Sequence, residues 1–356
     1  MKTSSAVPDP LCNPALGLHV HARHNRNSPA IMRMNPSITR LLVGWFLALL
    51  AALVPVRAAS DGAAPDVPEK CYLFAYFLRN GEDGLHFAWS TDGLKWQALK
   101  EGKSFLTPQV GKSKLMRDPC ITRGPDGTFH MVWTDSWDSG TIGYAFSKDL
   151  IKWSEQKAIP VMAHEPAVMN CWAPEIIYDP QLKRFMIFWS STIPGKFPET
   201  EYPGQKNHRI YMTTTADFVK FTPTDVLLNP GFNCIDATIL PFDGKAIMFF
   251  KDESKAPQAM KNLRIATAPA MAGPYQVEKD PLNPPGSWVE GPSALKIGDE
   301  VILYFDAYTR HRYEALSSRE LRKWQDVTGK LSMPKGLRHG TAFEVPAAVV
   351  KALLNE

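Results

Sequence analysis

Cysteine is scarce in this 356-residue chain. There are five, and the four beyond position 60, Cys71, Cys120, Cys171 and Cys234, form no CxxC pair and no Cys/His cluster with zinc-ligand spacing. Their spacings match no disulfide framework and a domain of this size needs none, so they read as buried free thiols. No basic run accompanies the net charge of +4, which removes the electrostatic footprint of a nucleic-acid binder. No GxGxxG follows a strand pattern and no GxxxxGK occurs, so nucleotide-cofactor chemistry has no foothold. Long hydrophobic runs are also missing: the best, Leu41 to Val56, is short of the ~20 residues of a membrane span and contains Pro55.

That run has another reading. Arg33 and Arg40 precede it, and Val56 and Ala58 supply the small −3 and −1 residues of a signal-peptide cleavage site after Ala58. The expected organisation is a leader and signal peptide over 1–58, a linker over 59–69, one domain over 70–350 and a tail over 351–356. Residues 1–31, ahead of Met32 and Met34, read as a disordered leader or an over-extended start. The mature protein is expected to be secreted or periplasmic, off the membrane after cleavage, and monomeric.

What is abundant is proline (30), glycine (23) and aromatic residues (11%), the composition of many short strands joined by tight turns. Five segments share an alternating strand, a small polar turn and an aromatic. They end at Trp96, Trp153, Phe221, Tyr275 and Trp324, spaced 57, 68, 54 and 49 residues apart. A second series, out of phase with the first, begins at Arg117, Trp172, Ile235 and Glu290, and pairs a short strand with a more apolar one across an Asp-Gly, Asp-Pro or Gly-Asp turn. Together they make four strands per unit, the period of a propeller blade. The N-terminal part has three strands lacking an innermost partner, and Arg338 to Val345 is an innermost strand lacking the other three. The fold is therefore an all-β, five-bladed β-propeller, closed by pairing N-terminal strands with the C-terminal innermost strand, which removes exposed sheet edges.

The first strand of each propeller blade lines the central channel, so its opening residues converge on the axis. Reading that position by carboxylate and histidine gives Asp118, Glu175, Asp236, Glu290 and His339, at intervals of 57, 61, 54 and 49. Like charges gathered in one funnel raise one another's pKa, and a purely structural position would not collect them. The arrangement suits glycosidic bond cleavage, which needs one protonated carboxylic acid and one ionised carboxylate. A third carboxylate can hold the acid's pKa up.

The order RDP, WAPE, IDATI, WVEGP, RHGT resembles glycoside hydrolase family 43, five-bladed hydrolases acting mainly on arabinosides, xylosides and galactosides. The resemblance runs from about Cys71 to Pro346. It implies that Asp118 is the general base, Asp236 the residue that tunes and orients the acid, and Glu290 the general acid, with inversion at the anomeric carbon. It implies that His339 helps hold a structural calcium or sodium ion, or its waters, in the channel, with no cofactor required for chemistry. Trp172, Glu175 and Arg338 are expected against a polysaccharide or oligosaccharide substrate. Family members often carry Asp where this chain has Glu175, which leaves the role of Glu175 open.

Two other functions fit the same residues. RDP also occurs in retaining fructan- and sucrose-type five-bladed hydrolases, although there the acid lies in a Glu-Cys motif and here Gly291 follows Glu290. A catalytically silent sugar-binding propeller is the third. Most other Trp residues, at the position of Trp96 and Trp153, read as packing between blades, and SxDGxxW at Ser90 to Trp96 reads as a structural turn like the Asp box of sialidases. The Pro- and Gly-rich insertion from Thr192 to His208 reads either as a shaper of the pocket or as a solvated loop.

Overall fold

The computed structural model describes residues 69–356, and the expected leader, signal peptide and most of the linker lie outside the described residues. The chain forms five four-stranded antiparallel sheets. The first blade combines Lys70–Leu78, His86–Ser90 and Gln97–Ala98 with the C-terminal strand Leu337–Pro346 as its innermost member. The inner strands of the other four are Arg117–Arg123, Trp172–Asp179, Cys234–Phe242 and Glu290–Ile297. The ring is closed as the sequence implies, with Cys71 opposite Val345 and Phe74 opposite Ala342. One boundary differs: the helix Ala347–Leu353 runs past position 350 and buries Val350 and Leu353 against Cys71, Leu73 and Phe87, so the expected tail begins inside the domain.

The repeated polar turn has one geometry in three blades. Ser90 Oγ accepts the Gly93 N–H while Asp92 Oδ1 accepts those of Leu94 and Lys95; Ser147/Asp149 and Thr215/Asp217 repeat the set. Gly93, Leu150 and Phe218 each take a positive φ in it. The turn turns the aromatic inward: the Trp96 ring meets Phe74 and Tyr304 edge-on at 5.4 and 5.8 Å, joining the first and fifth blades. All four cysteines in the described residues are buried thiols outside any disulfide.

Closure leaves no room at Gly340. A Cβ there would stand 2.0 Å from the Ala75 carbonyl oxygen, inside the pairing that seals the ring. Gly340→Ala is expected to cost about 3 kcal/mol, because the neighbour is backbone and cannot move aside. A denaturant midpoint matching wild type would show that the closing strand yields there.

Candidate active site

All five inner strands carry the same irregularity. Between Arg117 and Cys120, Trp172 and Glu175, Ile235 and Thr238, Glu290 and Ser293, and Arg338 and Thr341, two residues face a single residue of the neighbouring strand. Asp118, Ala173, Asp236 and Gly291, each the first of the two extra residues, have φ of +51°, +45°, +55° and +57°. This bulge divides the strand openings into three tiers. The first holds Arg117, Trp172, Ile235, Glu290 and Arg338. The second holds Asp118, Ala173, Asp236, Gly291 and His339. The third, two residues further along, holds Cys120, Glu175, Thr238, Ser293 and Thr341.

The alignment of the five acidic and histidine positions is thereby corrected. Asp118, Asp236 and His339 are equivalent, but Glu290 lies one position earlier and Glu175 two positions later. Loop lengths differ between blades, so spacing alone hides a slip of one or two residues, and only the pairing register reveals it.

The residue opposite each first-tier position reaches across to the next blade. Thr134 Oγ accepts the Ala173 N–H at 2.8 Å, and Ser190 Oγ accepts that of Asp236 at 3.2 Å. Lys251 Nζ donates to Glu290 Oε2 at 3.2 Å, and Arg338 Nε donates to Asp306 Oδ2 at 2.7 Å. Phe77 offers its ring to the Arg117 guanidinium at 4.6 Å. Neighbouring blades are thus tied at the level of the candidate chemistry. Lys251 and Asp306 were missed in the sequence, although both end apolar strands, IMFFK and ILYFD, where Thr134 and Ser190 end theirs.

Asp118 is largely buried and anchored by two groups. Thr134 donates to its Oδ2 at 2.8 Å, and His339 Nδ1 lies 3.4 Å from its Oδ1. Burial disfavours its charge, but the hydrogen bond and charge of His339, with Arg117 and Thr134, outweigh burial and hold the pKa at about 2. Burial likewise opposes the charge on His339, and Asp118 outweighs it, with Asp236 and Glu290 adding, to push the pKa up to about 9. The two form a buried ion pair.

With Nδ1 facing Asp118, the Nε2 of His339 is the atom that would reach an ion in the channel or its waters. A Cβ at Gly291 would stand 2.4 Å from the His339 ring, so a glycine in the left-handed region lets the imidazole settle beside Asp118.

Asp236 Oδ2 accepts the N–H of Gly291 at 3.1 Å, which ties Asp236 to the peptide immediately after Glu290. Burial, with Glu290 and Asp118 adding, pushes its pKa up against the pull of His339 and Lys251. Glu290 has a cation on each oxygen, Arg338 on Oε1 at 3.1 Å and Lys251 on Oε2 at 3.2 Å. Arg338, expected on the substrate, is engaged between Glu290 and Asp306. Behind Lys251, Glu253 accepts from both Lys251, at 2.8 Å, and Lys261.

Trp172 stands half-buried in the first tier. Its indole donates to the Trp137 carbonyl at 2.9 Å, Trp137 meets it edge-on at 5.5 Å, and Lys206 and His208 lie against its ring. Lys206 and His208 come from the end of the Thr192 to His208 insertion. The insertion is fastened at Arg209, which is fully buried and donates to Thr200, Asn207 and Asn229. The loop therefore does reach the first tier.

A family model for a glycosyl hydrolase 43-related domain, described as "Probable glycosyl hydrolase domain", matches residues 68–350. The chain belongs to this family. An alpha-L-arabinofuranosidase of Bifidobacterium longum subsp. longum is 24% identical over 220 residues, which are 53% of this chain and 20% of that protein. This glycosyl hydrolase 43-related chain thus spans about a fifth of the length of that curated relative. Among solved structures, an alpha-L-arabinofuranosidase from Lactobacillus brevis is 19% identical with a TM-score of 0.48, covering 60% of this chain and 72% of that one. A thermostable family-43 glycoside hydrolase is 16% identical with a TM-score of 0.49, covering 63% and 78%.

The third tier yields a prediction about pH. Burial pushes the Glu175 carboxyl up to about 8, against hydrogen bonding from Thr238 and the charge of His339. A carboxyl whose folded pKa lies above its ordinary 4.5 keeps a proton that the unfolded chain has released, so stability falls as pH rises from about 4.5 to 8. Glu175→Gln, neutral at every pH, removes that loss. It is expected to gain stability relative to wild type at pH 8 over pH 5, on the order of 2 kcal/mol. Equal shifts in denaturant midpoint at the two pH values would show that Glu175 is ionised in the fold.

Proposed function

We propose that this chain is an exported, inverting glycoside hydrolase that cleaves arabinose-, xylose- or galactose-containing polysaccharides or oligosaccharides. The observation that carries this reading is the convergence of Asp118, Asp236 and Glu290 from three blades, with Asp118 held ionised and Asp236 bound to the peptide next to Glu290. The family supports hydrolysis of a glycosidic bond, and the arabinofuranosidase relative supports a substrate of that kind. Export rests on the residues from Arg33 to Ser60 alone.

In this mechanism Asp118 takes a proton from the water that attacks the anomeric carbon. Its low pKa keeps it ready as an acceptor, and Thr134 and His339 fix its plane. Glu290 gives its proton to the departing oxygen, and Asp236 holds it in place through Gly291. His339 is a positioning residue for the base. Trp172 offers an apolar face to a sugar ring.

Aryl arabinosides, xylosides and galactosides of both anomers, together with natural polysaccharides, form the test panel. Proton NMR of the first product formed is expected to show the anomer opposite to that of the substrate. A retained anomer overturns the roles given to Asp118 and Glu290. Binding without turnover across the panel overturns the hydrolase reading itself.

A further inference from the structure

Arg117 is the one cation of the first and second tiers that has no ion pair among the described residues. Asp118 is paired with His339, and Glu290 with Arg338 and Lys251. Arg117, half-buried, rests its guanidinium 4.6 Å from the Phe77 ring and 4.2 Å from that of Trp137. It donates once, from Nη1 to Asn80 Oδ1 at 3.1 Å, and that oxygen also accepts the Trp137 indole. Among the described residues it has no ion pair, so most of its five donors lack a protein partner. The charges of Asp118, Glu290 and Glu82 favour its own and that of Arg338 opposes it, but no carboxylate among the described residues pairs with it directly.

The chemistry sharpens this imbalance. A general acid must carry its proton when substrate is bound, and a protonated Glu290 no longer neutralises Arg338 and Lys251. Asp306 and Glu253 remain paired with those two cations, while Arg117 has only the longer-range charges of Asp118 and Glu82. A planar fork stacked on aromatic rings is the geometry that binds carboxylate or sulfate oxygens in pairs.

Building on the hydrolase reading, we infer that the cleft takes a glycan whose bound sugar carries an anionic substituent, a uronate carboxylate or a sulfate ester, seated on Arg117. The anion supplies a directly paired partner, and the charge-assisted hydrogen bonds to Arg117 discriminate against the neutral sugar.

The test is calorimetric titration of the wild-type protein with hydrolysis-resistant phenyl thioglycosides of both anomers. One set comprises the galactoside, its 6-sulfate and the galacturonide; the other comprises the xyloside and the glucuronide. An acidic probe is expected to bind about 10- to 100-fold more tightly than its neutral counterpart, with the advantage shrinking as salt is added. A preference for the uronide or for the sulfate identifies which anion is meant. Arg117→Gln is expected to erase the preference and Arg117→Lys to retain part of it. If Arg117→Gln fails to fold, the wild-type preference, its salt dependence and the Lys variant still decide. Equal or weaker binding of every acidic probe overturns the inference, as does a preference that survives in folded Arg117→Gln. Anion preference without hydrolysis of any substrate would fault only the hydrolase reading. Hydrolysis of neutral glycosides without anion preference would fault only this inference.

Discussion

Asp118→Asn is expected to lower kcat/KM by about 10³-fold or more on every substrate, whatever the leaving group. An amide cannot take a proton from water, and water without a base remains a poor nucleophile even when the departing group needs no help. The substitution is nearly isosteric, and Thr134 can still donate to the amide oxygen as it does to Asp118 Oδ2. It also deprives His339 of the carboxylate that keeps it charged, so the imidazole pKa should fall from about 9. Because the raised pKa of His339 contributes stability that is present below its ordinary 6.5 and lost as pH rises through about 9, the variant should lose stability at pH 6 relative to wild type and approach it near pH 10. Kinetics on the aryl panel and denaturation at the two pH values check both halves. A variant that loses activity only on poor leaving groups would mean that Asp118 is not the base.

Glu290→Gln should behave differently. Its loss should follow leaving-group basicity: about 10³-fold on a natural glycoside, whose sugar alcohol needs a proton, and within about tenfold on a dinitrophenyl glycoside, whose phenolate leaves without one. The structure adds a second consequence. Both oxygens of Glu290 face cationic donors, and a glutamine amide can accept from one of them only by pointing its own N–H bonds at the other. Arg338 or Lys251 then loses a buried partner, so some stability should be lost as well. The leaving-group contrast is what separates proton donation from this structural effect, because misfolding lowers both rates together. Equal losses on the two substrates would remove Glu290 from the role of acid.

Candidate residues were legible to different degrees. Asp118, Asp236, Glu290 and His339 are met in the sequence as polar residues at the openings of repeated strands, where only polar groups facing a channel would recur. Glu175 looks the same in sequence and is not equivalent, since the bulge carries it to the tier of Cys120, Thr238, Ser293 and Thr341. Trp172 reads as a rim aromatic and does stand in the first tier. Arg117 and Lys251 were passed over, one as the neighbour of a motif aspartate and the other as the end of an apolar strand.

By itself, the sequence determined the number of blades, the strands within each and the way the ring closes. Those features rest on local patterning: alternation at period two, turn residues that take a positive φ, and complementary ends that cannot bury their edges separately. Tertiary structure decided which residues share a tier, because loops of unequal length between blades hide a slip of one or two residues that only the pairing register reveals. It also decided charge states. The raised pKa of His339, the lowered pKa of Asp118 and the want of a direct ion pair at Arg117 among the described residues follow from groups on separate blades, up to 221 positions apart between Asp118 and His339. A through-space field set by such contacts leaves no trace in the order of residues along the chain.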